Sequence, residues 1–211
     1  MGLREKNKAE KFERIRKATL EVLAEKGFEA TTIREISTRA GVGHGTIFSY
    51  AQNKVDLCLL SVSEGLDTVT SQTIESLDAK LPVVEQLITF FRTRYVFWAR
   101  RRELFFAATQ QLTGRYLAGS LEIDRARDRR ALTITCILRI LAQGQLNGEI
   151  KDPLELDRFS KIIFDVYQQE VRFWLSDDSD EVDAGLTALR SLLDALIGVI
   201  STKIARSKSI S

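Results

Sequence analysis

The side chains best equipped for chemistry gather in one run, TTIREISTRAGVGHGTIFSYAQNK, from Thr31 to Lys54. It holds the only histidine of the 211 residues, His44, with hydroxyls at Thr32, Thr46, Ser49 and Tyr50 and cations at Arg34 and Lys54. Such a set suits either a nucleophile with its base or the phosphates and base edges of a nucleic acid. The first use finds no support. A Ser-His-Asp or Cys-His arrangement would have to be built around His44, which opens a helix instead of lining a cleft. GVGHGT contains no GxxxxGK[ST] or GxGxxG, and no strand precedes it. Cys58 and Cys136 lie far apart without metal-ligand spacing, so no metal or other cofactor is expected. The expectation is a protein that is not an enzyme.

The spacing within the run favours nucleic acid. Thr32 and Glu35 form the Thr-x-x-Glu of a capping box, opening a first helix. Ile33, Ile36 and Ala40 make its apolar stripe, with Arg34, Ser37 and Arg39 outward. Gly41 ends it, Val42 plugs the corner and Gly43 starts a second short helix, about His44 to Tyr50. Asn53 then caps a third helix from Lys54. Two short helices around a glycine turn are a helix-turn-helix, whose second helix enters the DNA major groove. Arg34 is the candidate for a guanine contact, and Lys54 for neutralising a phosphate.

The stretch AGVGHGTIFSYAQNKVDL resembles the DNA-binding signature of the TetR family of bacterial repressors. Identities fall at Ala40, Gly41, Val42, Gly45, Thr46, Tyr50, Asn53, Lys54 and Leu57, with near matches at Ile47 and Phe48. The upstream KFERIRKATLEVLAEKGFEATTIREIS fits the family's first helix and the entry to its second. Three positions depart from the pattern: Gly43 replaces a capping serine, Phe48 a phosphate-binding tyrosine, and Ala51 a large aromatic. The resemblance implies that Thr46, Phe48 and Tyr50 lie against phosphates or base edges. The full DNA-contact set expected is Thr32, Arg34, Gly43, His44, Gly45, Thr46, Phe48, Ser49, Tyr50 and Lys54.

Charge is distributed to match. Residues 1–54 carry eleven Lys/Arg against seven Asp/Glu, a net of +4, while the remainder carries 20 against 22, a net of −2. A mildly basic head on a near-neutral body suits a DNA-contact face borne by a larger module. Hydrophobic content of 44% supports a sizeable core. The N-terminus lacks the apolar segment of a signal peptide, and no run is long enough to span a bilayer. Unpaired thiols suit a reducing compartment, so a cytoplasmic location is expected.

Beta signals are nearly absent, and helical periodicity fills the chain. The expected architecture is all-α, with about nine helices. A three-helix DNA-binding domain over 1–54 precedes a helical effector-binding and dimerisation domain over 55–211. A first helix spans about Lys8 to Lys26 with Gly27 as its stop, and the helix from Lys54 reaches about Leu77. Helices then follow Pro82, with a break near Arg101, and run from about Leu121 to Asn147. Asp152-Pro153-Leu154-Glu155 reads as the cap of the next, ending near Leu175, and the last covers about Val182 to Ile204.

Two features of the body have alternative explanations. Leu186, Leu189, Leu193, Leu196 and Ile200 alternate by three and four in the last helix, and Phe159, Ile163 and Val166 lie on the one before it. Such a seam is either ordinary core or half of a four-helix bundle across a two-fold axis. The resemblance implies the second, since family members dimerise through their last two long helices. Aromatic density from Phe90 to Tyr116 is likewise core or an effector pocket. The resemblance places a pocket among the middle helices, with Phe91, Tyr95, Trp98, Phe106, Gln110, Arg139 and Tyr167 as its candidates. The implied function is a homodimeric transcriptional regulator, a repressor that binds a palindromic double-stranded DNA operator and is released by a small apolar or aromatic effector. The alternative is a related DNA-binding protein that acts through a protein partner without a ligand.

Overall fold

Glycine stops, hydroxyl and amide caps and the long apolar periodicities resolve into an all-helical chain. The computed structural model describes residues 2–114, 121–152, 154–177 and 181–202. Among these lie nine helices: α1 (Leu3–Ala30), α2 (Ile33–Ala40), α3 (His44–Ile47), α4 (Lys54–Ser76), α5 (Val83–Ala99), α6 (Arg102–Gly114), α7 (Leu121–Leu146), α8 (Leu156–Ser176) and α9 (Val182–Ile200). Outside helices, the described residues form one isolated antiparallel bridge, Ile150 with Ser201. No helix among them is long and apolar enough to cross a membrane.

The chain forms two compact units, Met1–Thr68 with Arg101–Ala126 and Val69–Arg100 with Arg127–Ser211. In the first, Ile15, Ala18 and Val22 of α1 meet Ile36 and Ala40 of α2, Ile47 of α3 and Leu57 of α4 in one buried cluster. The stop expected at Gly27 is present: its backbone leaves helical space there, at φ 75° and ψ 177°, and a short second helical segment follows to Ala30. In the second unit, α5, α8 and α9 pack against one another, with α9 against both of the others. α9 comes close because residue 185 is glycine. A Cβ there would lie 2.7 Å from Tyr95 Cε1 and from Trp174 Cγ, far inside contact distance.

Two boundaries differ from the sequence expectation, for one reason. Lys151 N donates to Ile200 O and Thr202 N to Glu149 O, both at 2.9 Å. This pairing holds the chain around Ile150 extended, so α8 begins only at Leu156, with Glu155 and not Asp152 at its cap position. The same pairing turns Ser201 extended and ends α9 at Ile200 instead of Ile204. Residue 204 itself, like Pro153 and Tyr116, lies outside the described residues.

Candidate functional site

The helix-turn-helix forms from the caps its sequence supplies. Thr32 Oγ1 accepts from Glu35 N at 3.2 Å, but the Glu35 carboxylate pairs with Lys26 Nζ at 2.7 Å. Gly41 adopts φ 63°, ψ 41°, the left-handed cap that an L side chain resists. A Cβ there would also fall 2.8 Å from Arg14 Nη2, which donates to the carbonyls of Ala40 and Gly41. Arg14 thus clamps the corner from α1. Asn53 Oδ1 accepts from Asp56 N at 2.9 Å and Asp56 Oδ2 from Gln52 N at 3.2 Å, a reciprocal cap on α4.

The outward face carries most of the expected contact residues. Thr32, Arg34, Gly43, His44, Gly45, Phe48 and Ser49 are exposed and Thr46 is half-buried. Phe48 is 49% exposed, its ring edge-on to His44 with centroids 5.4 Å apart. A Cβ at Gly45 would meet nothing of this chain, so no intrachain contact demands glycine there. Arg34 lines an open groove of about 480 Å³ with Thr32, Glu35, Thr38 and Arg39. Arg39 is bound to Glu25 at 2.5 and 2.8 Å, and that bond holds the Glu25 carboxyl below its ordinary range. No ion pair engages Arg34 among the described residues, leaving it open to an outside acceptor.

Three residues have other positions than the spacing suggested. Lys54 Nζ donates to the carbonyls of Phe28 and Glu29 at 3.0 and 3.1 Å and lies 4.3 Å from the Phe28 ring centroid. It closes the end of α1, where a cation meets the helix's last carbonyls, so its ammonium is engaged within the chain. Tyr50 donates its hydroxyl to Lys8 O at 3.1 Å and stacks on Phe12 at 5.6 Å, bracing α1. Ser37 is buried, not outward, with its hydroxyl on Arg34 O at 2.8 Å. The reading helix itself is shorter than expected, and turns carry the chain from Phe48 to Tyr50.

Of the candidate effector residues, the structure brings together Phe91, Tyr95 and Tyr167, all fully buried in the second unit. Phe91 stacks on Tyr167 with centroids 4.5 Å apart, and Tyr95 meets Trp174 at 4.8 Å. Trp98 is half-buried on the next turn of α5, edge-on to Phe97 at 4.9 Å. Arg139 is exposed on α7. Phe106, half-buried, and Gln110, exposed, belong to the first unit and are not part of this aromatic group. The sequence reading missed Arg94 and Thr70, which join the same group: Arg94 Nε donates to Tyr167 Oη at 3.3 Å and Arg94 Nη1 to Thr70 Oγ1 at 3.1 Å. The available signal was an arginine at a position that helical periodicity shares with Leu87, Phe90 and Phe91. Cys58 and Cys136 are free and buried; burial pushes the Cys58 thiol up to about 12 and raises that of Cys136.

The terminal seam is core of the single chain. Leu186, Leu189, Leu193 and Ile200 are buried where α9 packs on α5 and α8, and Ile163 is fully buried on α8. Side chains already enclosed have little area left for a second subunit. Phe159, Val166 and Leu196 are only half-buried. With Ile162, Phe173, Leu192 and Val199, which are 40%, 60%, 41% and 70% exposed, they mark the outer apolar faces of α8 and α9. Of the heptad positions, Leu186, Leu189, Leu193 and Ile200 face inward, and Leu196 lies at the edge of the outer face.

Residues 15–59, which hold this helix-turn-helix, match the family model described as bacterial regulatory proteins, tetR family. A fatty acid metabolism regulator protein of Bacillus subtilis is 28% identical over 199 residues, covering 94% of this chain and 100% of that protein. Among solved structures, the FadR repressor of Thermus thermophilus, in complex with lauroyl-CoA, superposes with a TM-score of 0.71 at 23% identity, over 95% of this chain and 99% of that one. The Bacillus subtilis FadR, in complex with stearoyl-CoA, gives 0.64 at 23% identity, over 90% and 99%. At such identities these two establish the shared fold. With its capped helix-turn-helix, the head over residues 15–59 is a DNA-binding head of the tetR type, and the full-length likeness gives the whole chain the fold of the FadR regulators.

Proposed function

We propose that this regulator is a repressor of fatty-acid metabolism that binds a palindromic operator as a dimer and leaves it on binding a long-chain acyl-CoA. The observation that carries the effector class is the full-length likeness to a fatty acid metabolism regulator, joined by solved relatives in complex with lauroyl-CoA and stearoyl-CoA. The buried aromatic group around Tyr167 suits the acyl portion of such a ligand.

The residues divide the work. His44, Gly45, Thr46, Phe48 and Ser49 enter the major groove, Gly43 and Gly45 admit the backbone closely, and Arg34 takes a base edge. Thr32, Lys54 and Tyr50 shape and hold the head that presents them. Residues 1–54 act as the DNA-binding domain, and 55–211 as the effector and dimerisation domain. Two subunits pair through the outer faces of α8 and α9, around Ile162, Phe173, Leu192 and Val199, which sets two reading heads on successive grooves. α4, the helix that contributes residues to both units, carries the effector's influence to the head. A ligand releases the operator only if it binds the DNA-incompetent state more tightly.

The test starts from selection of bound sequences out of random DNA. A two-fold symmetric site should emerge, and lauroyl-CoA or stearoyl-CoA, but not free coenzyme A, should displace the protein from it. A symmetric site that no acyl-CoA disturbs would leave the regulator standing and reject its effector.

A further inference from the structure

The interior of the second unit holds a cation that its own fold does not neutralise. Arg94 is 8% exposed, and among the described residues its hydrogen-bond partners are two neutral oxygens, Tyr167 Oη at 3.3 Å and Thr70 Oγ1 at 3.1 Å. The guanidinium carbon stands 5.7 Å from the Tyr167 ring centroid. No carboxylate among the described residues lies within ion-pairing distance of it. A guanidinium presents five N–H donors, and a buried charge ordinarily has a counter-charge or full hydrogen bonding. Tyr95, the next residue on α5, adds a donor that is unsatisfied. Its hydroxyl is enclosed and without a hydrogen-bond partner, and burial raises its pKa, keeping it protonated. Its ring is 6.1 Å from that of Tyr167, so both donors border the same side chain. Orphaned buried groups are few in native proteins, and each has a cause.

We infer that Arg94, with the hydroxyls of Tyr95 and Tyr167, is the polar anchor of the effector site and receives an acyl oxygen of the ligand. The inference rests on the effector reading above and deepens it. The oxygen is the carbonyl of a thioester or a carboxylate of a free acid; both are acceptors for a guanidinium, and the stacked rings of Phe91 and Tyr167 give the anchor an apolar border for the adjoining chain. An acceptor competing for Arg94 Nη1 draws it from Thr70 on α4, so occupancy loosens one tie between α4 and α5. This is a differential contact of the kind a population shift requires.

The experiment titrates the full-length protein with lauroyl-CoA, with its thioether counterpart S-dodecyl-CoA, which lacks the carbonyl, and with laurate. Wild type should bind the thioester roughly 10- to 100-fold more tightly than the thioether, the range of one hydrogen bond to a charged group. Arg94→Gln should bring that ratio to about one. Tyr95→Phe should weaken lauroyl-CoA while the ligand-free melting temperature holds or rises, because the orphaned hydroxyl is removed. Tighter binding of laurate than of lauroyl-CoA assigns the anchor to a carboxylate, and the reverse to a thioester. The wild-type ratio persisting in Arg94→Gln would overturn the anchor while leaving the acyl effector intact; failure of wild type to bind either acyl compound overturns both. Should Arg94→Gln not fold, the infrared stretch of a 13C-labelled carbonyl on wild-type protein decides. A frequency at or below that in water supports the anchor, and a rise toward the hydrocarbon value overturns it.

Discussion

Arg34 and Arg39 lie on the same short helix, yet their surroundings give them different work. Arg39 is occupied by Glu25 in a two-pronged bond, whereas Arg34 stands over an open groove without an ion pair among the described residues. Arg34→Ala should therefore lose about 1–3 kcal/mol on the selected operator and little on random DNA. Competition assays with both DNAs measure this, and equal losses on the two would end its base-reading role. Lys54 follows the opposite logic because its charge is spent on the carbonyls of Phe28 and Glu29. Lys54→Ala should lower the unfolding free energy by roughly 1–3 kcal/mol while leaving the salt dependence of operator binding unchanged. A slope reduced by about one unit, with stability intact, would return Lys54 to the phosphate.

At the scale of elements, burial separates two faces that periodicity alone could not. Leu193 is fully enclosed, whereas Leu192 is 41% exposed one residue away. Leu193→Glu should unfold the chain, costing more than about 4 kcal/mol, because it leaves an unpaired carboxylate in the core. Leu192→Glu should spare the fold and give a monomer by light scattering. A folded monomer from Leu193→Glu, or an undisturbed dimer from Leu192→Glu, would contradict this assignment. The helix-turn-helix was legible in sequence because its signals are local: Thr32, Gly41 and Asn53 each act on backbone within a few residues. The direction of the α9 seam was not, since either face of an apolar helix satisfies the same spacing until α5 is placed against it. The start of α8 was missed because the Ile150–Ser201 pairing links segments distant in sequence. Arg94 was missed because composition cannot tell an arginine at the end of a buried stripe from one that escapes to solvent.

On the scale of the whole molecule, residues 1–54 carry a net charge of +4 and the remainder −2, so attraction to DNA is modest and specificity must come from geometry. In the function proposed here, an effector alters that geometry by favouring a state in which the two heads no longer fit successive grooves. The central claim is thus a coupling between an acyl ligand and operator DNA, and coupling is reciprocal. Its most direct test measures two affinities by calorimetry: the operator with and without lauroyl-CoA, and lauroyl-CoA with and without operator. The account predicts that each weakens the other by the same factor, on the order of 5- to 150-fold. If lauroyl-CoA binds yet both affinities stay unchanged, the ligand is not the effector, and the repressor mechanism proposed for this protein is wrong.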